Sequence, residues 1–330
     1  MFNMKKILAI LLFCTLWSGI AISHDEEKYT LGGAYKIKST NKDFVKISDQ
    51  KILTYENEDD DISGRFLYDQ EDVTSDYQVH VIYILASNSK DNKYDVNGLI
   101  EKLVLHGNEI FYKSTNKKFR LDLTKQGNLD VSFIRVDKTK KEINKIDNGA
   151  GYFTAEAIKH GFYNPKKLYA IFYQDKFKDE WGQAGDADFY GPKQMTEVTM
   201  GVTYLGGSLL SEAWVPYLHE QIHALGFVQL CAPGAVIDKT NPKWGKNDHL
   251  NYPGDMMSDW DSGDFIDIKR KEYYGHTIPN CEMDLKKSAF LEPTEKDFQL
   301  QPRSKSCKLT RWQPKYNHQR SLDCLARLNF

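Results

Sequence analysis

His219-Glu220-Gln221-Ile222-His223 sets two imidazoles four positions apart, and no other feature constrains the chain as much. On an α-helix, positions i and i+4 share a face, so the rings converge and can hold one zinc ion while the adjacent carboxylate serves as a base. The flanking residues favour that helix. Leu218, Ile222 and Leu225 fall on one apolar face, and Pro216 is tolerated only within the first turn. Gly226 can adopt the left-handed conformation that ends a helix. The spacing therefore predicts a helix over 217–225, with His219 and His223 as metal ligands and Glu220 as the catalytic base.

The amino terminus carries Lys5 and Lys6 before an apolar run from Ile7 to Ile20, followed by the small residues of Ala21-Ile22-Ser23. That is the pattern of an export signal cleaved near Ser23. A membrane anchor fits less well, because the run is shorter than the roughly 20 residues a span needs and is interrupted by Cys14, Thr15 and Ser18. Lipidation at Cys14 is disfavoured by the bulk of Phe13 before it. A secreted or periplasmic protein is expected, with no stable membrane insertion after cleavage.

Loss of Lys5 and Lys6 moves the formal charge from −2 to −4, and lysines and acids are interspersed through the rest. No basic stripe for a nucleic acid follows, so a nucleic-acid partner is not expected. Oligomeric state is not legible. The mature chain, long enough to bury a core without staples, keeps Cys231, Cys281, Cys307 and Cys324, an even set suited to an oxidising compartment. Three pairings are open. The one that closes successive loops joins Cys231 to Cys281 and Cys307 to Cys324, and no Cys-x-x-Cys spacing argues for a cysteine zinc site.

Residues 24–75 are polar and include the acidic run Glu56 to Asp61, so an amino-terminal extension is expected there, with the first core element near Tyr77. Val79 to Ile84 reads as a strand buried on both faces. Asp95 or Asn97 can cap a helix whose stripe runs through Leu99, Ile100, Leu103, Val104, Ile110 and Phe111, leaving His106 on the surface. Strands are expected at 119–123, 131–136 and 168–173, and a short helix at 154–160. Residues 173–197, rich in Gly, Asp and aromatics, read as a surface loop, with Asp186 and Asp188 as solvated acids rather than a calcium cage. Val198 to Tyr204 alternates into a strand with one polar side. The fold class expected is α/β (α+β), a mixed sheet with the histidine helix and a disulfide-bonded carboxy-terminal part.

This order of elements, with Gly226 three residues after His223, resembles the zincin metallopeptidases and particularly the metzincin clan, over roughly residues 77–285. The resemblance implies an edge strand, here Val198 to Leu205, that presents an extended peptide to the metal. It also implies a third ligand. The commonest metzincin position for it is occupied here by Gln229, a poor zinc ligand, so the role passes downstream. Cys231-Ala232-Pro233, His249 and Asp255-Met256-Met257 match, in order, a Cys-Ala-Pro, a loop histidine and an Asp-x-Met turn found in some exported metzincin-like proteins. His249 is the expected third ligand, with Asp248 the alternative. Met257 is the expected turn residue, with Met256 the alternative. The tyrosine that several metzincins carry after this turn is replaced by Asp259, leaving Tyr252, Tyr273 and Tyr274 as substitutes or structural residues, and His276 as a further metal or orienting candidate.

The domain layout expected is a signal peptide at 1–23, a polar extension at 24–75, a zincin-like metallopeptidase domain at 76–290 and a disulfide-containing tail or subdomain at 291–330. The activity implied is a zinc-dependent endopeptidase in which Glu220 takes a proton from a zinc-bound water and returns it to the leaving amine of a peptide or protein substrate. The alternative is an exported module that binds metal or a protein without turnover. A cysteine-switch latency is excluded, since no cysteine of the mature chain precedes Cys231, and a carboxylate from Glu56 to Asp61 is the remaining inhibitory candidate.

Overall fold

The computed structural model describes residues 62–164, 166–186, 199–207, 209–229, 231–237, 246–258, 262–279, 281 and 283–299. The signal at 1–23, the acidic run 56–61, Asp188, Asp259, Cys307 and Cys324 lie outside the described residues, as do the side chains of Asp186 and Asp248.

A five-stranded sheet forms the centre, in the order β3-β1-β4-β6-β5, where β1 is Gln78–Leu85, β3 Val131–Arg135, β4 Lys167–Tyr173, β5 Gly182–Asp186 and β6 Thr199–Tyr204. All pairs are parallel except β5 with β6. A parallel strand in mid-sheet must be apolar on both faces, and β1 meets that demand: Val79, Val81, Tyr83 and Leu85 join one core, Ile82 and Ile84 the other. On the first face lie α1 (Leu99–Thr115) and α4 (Trp214–Ala224), which contribute Ile100, Val104, Phe111, Tyr217, Leu218 and Ile222. On the second lies α3 (Gly149–Lys159), with Phe153 and Ile158, preceded by the short α2 (Lys140–Ile143). The mixed α/β class read from the sequence is the class that forms.

Four local expectations differ from what forms. Residues 182–186, read as loop, are the antiparallel edge strand β5, so the 199–204 strand sits one place inside the edge. Gly-Gln-Ala-Gly-Asp carries no apolar alternation, which is why pattern alone missed it. The helix expected at 154–160 starts five residues earlier, where Asn148 caps it by accepting from the Gly151 N–H at 2.8 Å. Gly149 and Gly151 lower helix propensity, yet a Cβ at Gly149 would stand 2.5 Å from the Phe177 ring, so packing selects glycine there.

The 119–123 stretch splits. Lys118–Phe119 (β2) pairs with Leu291–Glu292 (β9), while Leu121 and Leu123 form single bridges to Val79 and Leu129. Neither cap candidate is the residue that caps α1: Gly98 holds that place in left-handed backbone without a side-chain cap, Asn97 before it accepts from Leu99 N–H at 3.0 Å, and Asp95 holds Arg65 with two bonds of 2.7 and 2.8 Å.

Arg65 belongs to a segment that packs on the sheet. Its guanidinium is buried, lies 3.7 Å above the Phe133 ring and also pairs with Asp91 at 2.7 Å. Phe66 bridges Ser132 in parallel and so covers the β3 edge. At the carboxy-terminal side, Cys231 and Cys281 form the expected disulfide. No helix among the described residues is long and apolar enough to cross a membrane.

Candidate metal centre

α4 begins at Trp214, so Pro216 is the third helical residue, inside the turn whose N–H groups have no helical partner in any case. Gly226 follows the helix at φ 92°, reversing the chain so that the Phe227 carbonyl points back at the helix. That carbonyl accepts from His223 Nδ1 at 2.7 Å, and the Met256 carbonyl accepts from His219 Nδ1 at 2.6 Å. A proton on each Nδ1 leaves each Nε2 with an exposed lone pair, the tautomer a metal requires.

His249 completes the group. It lies on β8 (Lys246–Leu250), which pairs antiparallel with β7 (Ala235–Ile237) and brings the chain back over the helix. Its Nε2 stands 3.1 Å from Nε2 of His219 and 3.1 Å from Nε2 of His223. Tetrahedral zinc at its usual bond length to imidazole would set ligand nitrogens ~3.3 Å apart, so the triad fits such an ion closely. Two lone pairs fixed toward a third nitrogen are stabilised by a proton on that nitrogen or by a cation held between the three. His219 is held down at about 4 by burial and by neighbouring His249, so near neutrality its own Nε2 is free of a proton. His219 is buried, while His223 and His249 are half-buried and mark the solvent side.

Glu220 lies under the edge of the sheet. A Cβ at Gly182 would fall 2.7 Å from Glu220 Cγ and 2.9 Å from its Oε1, and one at Gly201 would fall 2.9 Å from the Glu220 carbonyl group. Two glycines on neighbouring strands therefore let α4 press directly on bare backbone. The Glu220 carboxyl is pushed well above the ordinary range, first by burial and then by the charge of Glu180. Sequence reasoning missed Gly182 and Glu180 together with β5.

The remaining sequence candidates have other partners. Gln229 is buried and donates to the Glu272 carbonyl at 2.5 Å, tying the chain after α4 to the segment after the methionines. His276 accepts the Ile278 N–H on Nδ1 and donates from Nε2 to the Met283 carbonyl at 2.6 Å, which makes it a loop clasp. Met256 and Met257 are both fully buried, and Met256 supplies the carbonyl that orients His219. Asp255 accepts from Met257 N–H at 2.9 Å, Ile268 N–H at 2.8 Å and the Tyr273 hydroxyl at 2.8 Å, fixing this turn. The Tyr274 hydroxyl donates to the Thr115 carbonyl at 3.1 Å, and Lys269 lies over the Tyr252 ring at 3.6 Å. His106 is exposed, edge-on to Trp214.

A second cluster joins His80, Asp69, Asp122 and Asp130. Its cation position is already filled, because Lys167 Nζ lies 2.5, 2.6 and 2.6 Å from oxygens of Asp69, Asp72 and Asp122. His80 also bonds Asp122 at 2.7 Å and Ser132 Oγ at 3.0 Å, a serine–histidine–aspartate chain whose serine and histidine are fully buried and closed to substrate.

No protein-family model matches the chain, and no curated protein sequence does. Among solved structures, wild-type OgpA from Akkermansia muciniphila superposes with a TM-score of 0.32 at 16% identity, covering 55% of this chain and 56% of that one. A catalytically inactive OgpA in complex with an O-glycopeptide substrate gives 0.30 at 14% identity over 55% of each chain. A chaperone–substrate complex gives 0.29 at 13% identity, covering 58% of this chain and 32% of that one. The chain thus spans about half of the OgpA structures it is compared with.

Proposed function

We infer that the chain is a zinc-dependent endopeptidase with His219, His223 and His249 as ligands and Glu220 as the proton-transferring base. One observation carries this reading: three imidazole Nε2 atoms meet, two of them turned lone pair inward by backbone carbonyls, one residue from a buried carboxylate. Imidazole nitrogens in a tetrahedral array suit zinc, and a bound zinc supplies a lowered pKa for water and a polarised substrate carbonyl.

The chain's own groups do the rest. Burial raises the proton affinity of Glu220, and the Glu180 charge adds to it, moving the carboxyl toward the range where it can take a proton and return it. A proton received on Glu220 from the attacking water passes to the leaving amine. The outer row of β5 peptide groups pairs with no strand among the described residues, so an extended substrate can add to the sheet there by backbone hydrogen bonds. Half-buried His223 and His249 leave access from solvent. Export, read from residues 1–23, belongs to the same proposal.

Zinc-loaded protein is to be assayed on casein and on mixed peptides, with and without chelator, beside Glu220→Gln. Chelator-sensitive cleavage that falls ~100-fold or more in Glu220→Gln, with zinc retained, is expected. Equal activity in parent and Glu220→Gln would remove the mechanism, and stoichiometric zinc without any cleavage would leave a metal-binding module.

A further inference from the structure

Met256 and Phe227 supply the two carbonyls that turn His219 and His223 lone pair inward, and the two residues lie in different loops. Tyr273 touches both loops. Its ring packs on that of Phe227, with centroids 6.5 Å apart and planes at 42°. Its hydroxyl donates to Asp255 Oδ1 at 2.8 Å, and the same oxygen accepts from Met257 N–H at 2.9 Å, so the turn that carries the Met256 carbonyl is held through this bond.

Tyr273 is itself fixed by a loop centred on a carboxylate. Asp267, fully buried and in left-handed backbone at φ 48°, accepts on Oδ2 from the N–H groups of Glu272, Tyr273 and Tyr274 at 3.0, 2.9 and 2.8 Å. A short side chain that bonds its own nearby backbone tolerates that conformation. Asp267 N–H donates to the Tyr273 hydroxyl at 2.9 Å, which leaves the hydroxyl proton for Asp255 and sets the direction of both bonds. Glu272 extends the grip. Its carbonyl accepts from Gln229 Nε2 and its carboxylate from the Gly234 N–H at 2.8 Å, holding two further points of the chain between α4 and β7.

Full burial keeps the Tyr273 hydroxyl from a substrate, so it acts through other groups. A hydrogen bond to the far nitrogen of a ligating histidine fixes its tautomer and ring direction, and loss of such partners costs metal affinity ~10–100-fold. A carbonyl does this only while its loop keeps its place. Here one phenol ties down both loops.

We propose that Tyr273 is a positioning residue of the metal centre, a single side chain that holds the Met256 and Phe227 carbonyls in place for His219 and His223. This role rests on the peptidase reading for its metal, but the first part of its test needs neither zinc nor turnover. Chelator-treated protein with nitrogen-15-labelled histidine is compared by long-range nitrogen–proton NMR as parent, Tyr273→Phe and Tyr273→Leu. Zinc affinity of the three is measured by competition with a chromophoric chelator. Amide hydrogen exchange of the parent is followed at Met257 and Asp267 with and without zinc, and peptide cleavage is assayed beside it.

In the parent both rings are expected to carry the proton on Nδ1. Tyr273→Phe keeps the Phe227 contact and loses the hydroxyl, so the His219 signal moves to a mixture of tautomers while that of His223 stays; Tyr273→Leu disturbs both. Zinc affinity falls ~10–100-fold in Tyr273→Phe and further in Tyr273→Leu. Because coupling is reciprocal, zinc slows exchange at Asp267 and Met257 of the parent, a measurement that stands even where a variant fails to fold. Parent-like His219 tautomer and zinc affinity in folded Tyr273→Phe overturn the assignment, as does exchange at Asp267 that bound zinc leaves unchanged. Loss of turnover alone, with tautomer and affinity intact, also overturns it and leaves the peptidase standing. Zinc binding with these shifts but no cleavage supports the positioning role and removes the peptidase. A parent that takes up no zinc removes the peptidase too, and the tautomer comparison in the metal-free protein still upholds or overturns the role of Tyr273.

Discussion

Gly182 and Glu220 touch through bare backbone: a Cβ at residue 182 would lie 2.7 Å from Glu220 Cγ, closer than real side chains approach. Gly182→Ala must therefore displace the carboxylate or part β5 from α4. Displacing a reacting group by about 1 Å costs on the order of 100-fold in rate. A fall in kcat/KM of ~10–100-fold is expected, with zinc content and fold unchanged by metal analysis and circular dichroism. Full activity in Gly182→Ala would show that the contact does not set the position of Glu220.

The metal centre predicts an asymmetry between neighbours on β8. His249 Nε2 lies 3.1 Å from Nε2 of both helix histidines. Zinc analysis after dialysis should find one ion per chain in the parent and in Asp248→Ala, and an empty or weakly bound site in His249→Ala. His219→Ala and His223→Ala should behave as His249→Ala does. Retention of stoichiometric zinc in His249→Ala would return the third position to another group.

The polar cluster around Lys167 predicts a pH dependence of stability. Burial, against the pull of His80 and with help from the charges of Asp122 and Asp69, holds Asp130 up at about 7. Burial of His80 opposes its charge, yet Asp69, Asp122 and Asp130 raise it overall. An acid raised from its unfolded value near 3.8 binds a proton only in the native state between those limits, so stability falls as pH climbs from ~4 to ~7. His80 acts in the same direction, its contribution being full below its unfolded value and lost as pH rises through the folded one. Asp130→Asn removes the first effect and keeps an acceptor for the Gln70 N–H, which bonds Asp130 at 2.8 Å. Denaturant midpoints in chelator should show the variant gaining up to about 4 kcal/mol on the parent at pH 8 and little at pH 4. An equal difference at both values would contradict this account.

The Cys231–Cys281 bridge closes a loop with a sequence separation of 50 that contains His249 and the Asp255 turn. By loop-closure entropy such a bridge contributes roughly 4 kcal/mol. Cys281→Ser should lower the melting temperature and weaken zinc affinity together, while leaving the α4 histidines in place. Unchanged zinc affinity in a destabilised Cys281→Ser would mean that the β7–β8 strand pair alone holds His249.

The elements that periodicity encodes were legible and those that close packing encodes were not. α4 announced itself through an apolar stripe beside two histidines on one face, and β1 through an unbroken apolar run. β5 escaped because its inward positions are Gly182 and Ala184, chosen for how near α4 can come rather than for hydrophobic surface. His249 was reachable only through the order of downstream motifs, since its geometry depends on the β7–β8 pairing. Gln229 could be rejected as a ligand, but its bond to the Glu272 carbonyl, 43 positions away, leaves no mark in spacing. The charge cluster was equally hidden, since Asp69 and Lys167 are 98 positions apart.

His219 and His223 are steered by main-chain oxygens of residues 256 and 227, not by carboxylates. Every amino acid carries such an oxygen. The steering atoms therefore tolerate replacement of the side chains that accompany them, provided the backbone path endures. A lineage built in this way can keep its pocket while the letters around it drift beyond recognition by sequence comparison, and only the short helical signature stays readable.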